Sequence, residues 1–325
     1  MGNSVLGLLT EASPEAPVHS ALDASVRFGD IDTTKVDVGR LAPKILAAQQ
    51  PIPVHKARPV NVIRDSHECY VRVLVWDPFR DLLVSGGGDG WIRFWSTDDL
   101  RLAGELDTKL SVRALLVLIQ ELVSGHSNGE VTIWSMDRPG RPQVQTLQAH
   151  KEAVYALAML PSGDLVTGAE DIRVFSRSTI WGFQLTTTVS EEVLCMTCIP
   201  RSSQVVTGDM NSFITVWDSA NGWQAAATLR GHTRSVWAVC YVHEAHRCAS
   251  GSADHTIRIW SAETWVCERT LTDHVGWVVG LSRGPGWLLS CSIDQTVRVW
   301  DCELWTCERT FADQQYEVYS VCAFS

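Results

Sequence analysis

The chain reads as an all-β protein built from one repeated unit, and three observations predict this. Short apolar runs such as 70–76, 81–87 and 90–95 are separated by turn residues and carry no helical period. Strand-like segments ending in an aromatic residue recur at Trp95, Trp134, Phe175, Trp217, Trp260 and Trp300, every 39 to 43 residues. The sequence WVCERTL that follows Trp260 at 265–271 returns as WTCERTF at 305–311. A period of about 40 residues built of short strands is the mark of a repeat architecture whose units bury their faces against one another.

Composition narrows the function. The chain has 325 residues, 45% hydrophobic and 20% charged, which suits a globular core. A net charge of -10, with no dense Lys/Arg run, argues against a phosphate-backbone ligand, so no nucleic-acid partner is expected. The 10 cysteines follow no disulfide framework. Cys195, Cys240, Cys291 and Cys322 sit inside apolar strand-like runs, where free thiols act as small hydrophobes. A reducing compartment follows, cytoplasmic or nuclear. Neither a secretory apolar region nor a membrane-spanning run is present in the sequence.

Residues 1–58 differ from the rest, being rich in Ala, Pro and Asp and free of Trp and Cys. They read as a partly disordered N-terminal extension ahead of the repeats at 59–325. Gly2 is a lipidation candidate, because N-myristoylation requires Gly after the initiator Met. Leu6 stands where that motif wants Ser or Thr, and no polybasic segment offers a second anchor. A membrane partner is expected only if Gly2 is acylated.

Each repeat parses alike. In the fifth, strand a spans 235–242, b 247–251, c 256–260 and d 265–271. A His precedes strand a, Ser or Thr lies in b, Asp in the b–c turn and Trp at the end of c. This pattern resembles the WD-repeat family of β-propellers over residues 60–325. The resemblance implies an all-β ring of four-stranded antiparallel blades, with each His, Ser, Asp and Trp set joined by hydrogen bonds. The structural set is complete in three repeats: His67, Ser85, Asp89 and Trp95; His232, Ser250, Asp254 and Trp260; His274, Ser290, Asp294 and Trp300. Indole N–H can donate to hydroxyl, hydroxyl to imidazole and imidazole to carboxylate. The second repeat has Thr108 in place of His. The third has a shortened turn, GAED, and Phe175 in place of Trp. The fourth has Val189 where His would be. The second to fourth repeats should therefore depend more on hydrophobic packing.

Six repeats are in phase, and the sequence after Phe311 supplies only a strand a for a seventh. Val60–Ile63 occupies the place of a strand d. Residues 25–38 could supply the missing strands, with Asp32 and Thr34 aligned to Asp294 and Thr296 and Val38 where Trp would be. The expectation is a seven-bladed ring, its last blade either assembled from both ends of the chain or left incomplete by truncation; a six-bladed ring is the alternative.

Several constellations look chemical. Ser, His and Asp together suggest a hydrolase, but the trio occurs three times at one repeat address, and no G-x-S-x-G elbow is present. The SGGGDG run at 85–90 is a turn with no following helix to bind phosphate. Cys195 and Cys198 have CxxC spacing, but on a strand they face opposite ways. His243 and His246 fall in a solvated turn. The chain is expected to be no enzyme, with no catalytic residue, metal or cofactor.

Members of the family mostly act as rigid platforms, which implies a scaffold or substrate-recognition subunit of a larger complex binding proteins or peptides. Its top face, made of d–a and b–c loops, would present Tyr70, Lys151, Glu152, Glu192, Arg234 and Trp277. Arg and aromatic residues dominate binding hot spots. A membrane-recruited adaptor and a propeller enzyme are the alternatives.

Overall fold

The apolar pattern places strands b and c of each repeat in the interior and strand d at the rim. Second strands read almost entirely buried, as in Leu82–Gly87 and Arg247–Ser252, whereas outer strands are buried only near their ends. The computed structural model describes residues 5–9, 59–64, 67–177, 181–187, 189, 191–312 and 317–323.

Six four-stranded antiparallel sheets follow one another along the chain, each in the order a-b-c-d. Two strands precede them, β1 (Val5–Leu9) and β2 (Pro59–Arg64). The first blade is β3 (Val71–Asp77), β4 (Leu82–Gly87), β5 (Trp91–Ser96) and β6 (Leu102–Asp107). The second is β7 (Val112–Val117), β8 (Glu121–His126), β9 (Glu130–Ser135) and β10 (Gln143–Gln148). The third is β11 (Ala156–Met159), β12 (Leu165–Gly168), β13 (Ile172–Ser176) and β14 (Gly182–Thr187). The fourth is β15 (Val193–Cys198), β16 (Gln204–Asp209), β17 (Ile214–Asp218) and β18 (Gln224–Leu229). The fifth is β19 (Val236–Val242), β20 (Arg247–Ser252), β21 (Ile257–Ser261) and β22 (Cys267–Leu271). The sixth is β23 (Val278–Gly284), β24 (Trp287–Ser292), β25 (Val297–Asp301) and β26 (Cys307–Phe311).

The inner strands of successive blades pack side by side, from β3 against β7 to β19 against β23. The core lies between blades rather than within them. One cluster joins Val206, Ile214 and Val216 of the fourth blade to Val236, Tyr241 and Trp260 of the fifth. A second joins Ala249, Ile257 and Ile259 to Val278, Leu288 and Trp300. The joints need small residues in strand b. A Cβ placed on Gly251 would come within 2.6 Å of Val278, and the same holds for Gly86 against Val112.

The described residues thus form a β-propeller of six complete blades, the alternative of the two blade counts. The seventh place is filled differently from the expectation. β2 pairs with β1 as a separate two-stranded sheet rather than serving as a strand d. Two short apolar segments satisfy each other's backbone there. Residues 25–38 and Gly2 lie outside the described residues. Residues 317–323 carry no ladder but sit between the sixth and first blades. The Leu74 N–H donates to Ser320 Oγ at 3.0 Å, and the Ala323 N–H to Ser282 Oγ at 2.9 Å. Cys322 packs with Leu74 and Trp95 of the first blade, and Val321 and Ala323 with Trp287 and Val299 of the sixth.

Candidate functional site

In each complete set the turn between strands b and c brings a carboxylate under the imidazole that precedes strand a. His274 Nε2 lies 2.7 Å from Ser290 Oγ, His274 Nδ1 2.8 Å from Asp294 Oδ2, and Trp300 Nε1 2.8 Å from Ser290 Oγ. The sets around His232 and His67 have the same geometry, at 2.7 to 2.9 Å throughout. The indole can only donate, so the serine accepts from Trp and donates to Nε2, and Nδ1–H donates to the carboxylate. Burial alone would raise the Asp294 carboxyl, but bonds from Thr296, His274 and the Val275 backbone outweigh it and hold it at about 2. Burial pushes the His274 imidazole below its ordinary 6.5, against the pull of Asp294. These groups are buried, satisfied and repeated, which suits a lock on the turn rather than a nucleophile.

The worn blades recover part of the set from residues outside the repeat address. In the second, His126 at the end of β8 takes over from the missing His, its Nε2 2.9 Å from Ser124 Oγ, which also accepts from Trp134 Nε1 at 2.8 Å. In the third, His150 Nε2 lies 2.7 Å from Thr167 Oγ1, and Asp171 in the shortened turn reaches 2.8 Å from Nδ1 without hydrogen-bond alignment. Phe175 is buried with Trp181. The fourth keeps only the bond from Trp217 Nε1 to Thr207 Oγ1, 2.8 Å. The expectation that all three rely on packing therefore holds fully only for the fourth blade. A His supplied from two residues beyond the serine on strand b, rather than from ahead of strand a, leaves no signal in a position-by-position alignment.

His150, Glu170 and Asp171 place ligand atoms within 4.8 Å of one another. His150 Nε2 is committed to Thr167 while Nδ1 faces the carboxylate of Asp171 at 2.8 Å, and the Glu170 carboxylate accepts the Lys151 and Glu152 backbone N–H groups. Burial pushes the Cys198 thiol up to about 12 and Cys195 higher still, so neither is poised as a thiolate. His243 and His246 are exposed, and His246 Nδ1 bonds to Tyr241 Oη at 3.1 Å.

The face formed by the d–a and b–c loops is polar at its margin and aromatic toward its centre. Tyr70 is 39% exposed and packs on Tyr319 with ring centres 5.7 Å apart. Trp277 is 38% exposed and stacks on Trp237 at 6.4 Å with planes 12° apart. Lys151, Glu152 and Arg234 are exposed, and Glu192 is half-buried. Burial, with Glu152 and Glu170 nearby, raises the Glu192 carboxyl. Acidic groups of the third and fourth blades thus gather on one arc, and Arg and Trp of the fifth and sixth on another. Sequence reading missed Arg72, Arg113 and Tyr155 on this face; the two arginines stand one residue after the valine that opens β3 or β7, and Tyr155 follows Val154 just ahead of β11.

Six blades packed through apolar clusters between them, several locked internally by buried His–Ser–Trp contacts, form a propeller platform, with no convergent set of unused catalytic groups among the described residues. The family profile described as WD domain, G-beta repeat, matches residues 58–96, 141–175, 223–261 and 265–301. The chain belongs to the WD-repeat family. It is similar to the WD repeat-containing protein srw1 of Schizosaccharomyces pombe, 37% identical over 33% of this chain and 20% of that protein. It is 29% identical to the nuclear distribution protein PAC1 of Gibberella zeae, over 49% of this chain and 37% of that one. The cell division cycle 20.4 protein of Arabidopsis thaliana, a cofactor of the APC complex, is 32% identical over 34% of this chain and 27% of its own length. The matched region spans only 20% to 37% of these relatives.

Proposed function

We propose that this chain is a non-catalytic recognition subunit that holds protein or peptide partners on the face of the d–a and b–c loops, in a reducing compartment. The family is generally one of interaction scaffolds, and relatives such as the APC cofactor work within complexes. One observation carries the assignment of the face. Tyr70, Met210, Val275 and Trp277 lie on this one set of loops with 39%, 44%, 78% and 38% exposure, ringed by Lys151, Glu152, Glu192 and Arg234. Exposed apolar and aromatic groups with a polar rim mark an interaction surface. The unpaired thiols support the compartment.

The test is affinity purification with mass spectrometry, comparing the wild-type chain with Trp277→Ala plus Arg234→Ala. Both side chains are exposed, so the variant should keep the wild-type melting temperature while its partners fall by about tenfold or more. Recovery of the same partners at the same strength would show that another surface binds them.

A further inference from the structure

Five of the six inner strands slip register at one place: between Val71 and Val73, Val112 and Ala114, Val193 and Cys195, Val236 and Ala238, and Val278 and Gly280. A bulge leaves its extra residue without a ladder partner and re-aims the side chain. The residues released are Arg72, Arg113, Leu194, Trp237 and Val279. In the third blade Tyr155 precedes the ladder of β11. In the seventh place Tyr319 follows Val318, whose N–H donates to Ser292 O as the Val154 N–H does to His126 O.

These side chains meet. The Arg72 guanidinium carbon lies 5.4 Å from the Trp237 ring centre and 5.9 Å from that of Tyr319, and the Arg113 carbon lies 5.8 Å from Tyr155. The first and fifth blades are not neighbours, so the Arg72–Trp237 contact crosses the ring at the mouth of its central channel. Arg72, Arg113 and Trp237 offer only donors, while the Tyr319 hydroxyl donates outward to the exposed Glu317 carboxylate. Arg113 Nε and Trp237 Nε1 are buried with no hydrogen-bond partner. Among the described residues no carboxylate lies within ion-pair distance of Arg72 or Arg113. Burial and the nearby charge of Arg113 both disfavour the Arg72 cation. Unpaired buried donors and two like charges are costly to hold, and an acceptor with negative charge relieves both.

We propose that Arg72, Arg113 and Trp237 form a seat for one anionic side chain of a partner peptide, walled by Tyr155 and Tyr319. The proposal rests on the reading of this face as the partner-binding one and gives its ligand a chemistry. Guanidinium forks suit the paired oxygens of a carboxylate or phosphate. The acidic arc of Glu152, Glu170 and Glu192 repels acidic groups from the far side and so fixes the register, while Trp277 and Tyr70 offer apolar contact beside the seat. The ligand is therefore a peptide with an acidic side chain next to an apolar one.

The probes are four fluorescein-labelled peptides in a Gly-Ser frame, centred on Leu-Glu-Leu, Leu-Gln-Leu, Leu-Lys-Leu and Leu-phosphoserine-Leu, titrated with the full chain by anisotropy. The glutamate peptide is expected to bind about tenfold tighter than the glutamine one, with the lysine peptide weakest. Arg72→Gln plus Arg113→Gln should erase that preference, and Trp237→Phe, which keeps the ring and removes the N–H, should reduce it. Arg72→Lys plus Arg113→Lys should retain part of it, which separates lost charge from lost folding. Tighter binding of phosphoserine than of glutamate keeps the seat and assigns its anion to a phosphorylated residue. Equal binding of all four peptides, no binding below about 1 mM, or an undiminished glutamate preference in the glutamine double variant overturns the seat. If the partners of the wild-type chain persist in that variant and are lost in Arg234→Ala plus Trp277→Ala, the face binds partners and only the seat falls.

Discussion

At the scale of single residues, Ser290 and Thr207 occupy one repeat address but carry different loads. Ser290 Oγ is bonded to both His274 and Trp300, whereas Thr207 Oγ1 serves Trp217 with no imidazole above it. Ser290→Ala strands two buried groups and should cost about 2–4 kcal/mol, since each orphaned partner costs about 1–3 kcal/mol. Thr207→Ala strands one and should cost about half as much; chemical denaturation of the two variants compares them directly. The histidines also set a pH response. Burial, only partly offset by Glu130 and the Leu110 backbone, lowers the His126 imidazole from 6.5 to about 4. The unfolded chain takes up that proton first as pH falls. Stability from this group is complete above pH 6.5 and declines toward pH 4, by up to about 1.4 kcal/mol per pH unit. His67 and His274 shift in the same direction. Melting temperature should therefore drop across this window, and His126→Gln should make the drop shallower.

Among elements, the joints between blades decide the packing. The glycine that follows the Ser or Thr of strand b recurs as Gly86, Gly125, Gly168, Gly208 and Gly251, each facing the opening valine of the next blade. Cys291 breaks the series where the next element is not a full blade. Gly251→Ala should wedge the fifth and sixth blades apart and cost about 1–3 kcal/mol, as overpacking does, with a matching fall in the denaturation midpoint. The turns between strands c and d hold a second regularity. Trp181, Trp223, Trp265 and Trp305 all adopt left-handed backbone, φ 55° to 60°, and their rings pack into the clusters between blades. The strand order and the three full hydrogen-bonded sets were legible, because period and residue type coincide at each address. The role of His126 was not, since a side chain two residues along the strand reaches the same serine through space. The bulge residues were equally hidden, because a register slip does not alter apolar alternation in the sequence.

For the whole molecule, aromatic spacing marked six repeats, but the seven-bladed ring expected from them gives way to the alternative: the described residues form six complete blades, and the manner of closure was not legible. The apolar segment at 60–63 has the character of a strand d, but its partner is Val5–Leu9, a pairing no periodicity specifies. The joint between the sixth and first blades rests on residues 317–323, through two backbone bonds to serines and the packing of Val321, Cys322 and Ala323. Removing residues 317–325 should lower stability by about 2–4 kcal/mol, from the apolar area it returns to water. It also bares the inner strands β23 and β3, so light scattering should report association.

That joint has a thermodynamic corollary. Arg72 belongs to the first blade, Trp237 to the fifth and Tyr319 to the closing segment, so their contacts span the place where the ring can come apart. A ligand that needs all three groups in position binds the shut ring and not the open one. By mass action its occupancy adds directly to the free energy of opening, about 2.7 kcal/mol at a hundredfold excess over its dissociation constant. Amides of β3 and β23 should then exchange with deuterium more slowly in the loaded protein, while those of the third blade, far from the seam, keep their rates.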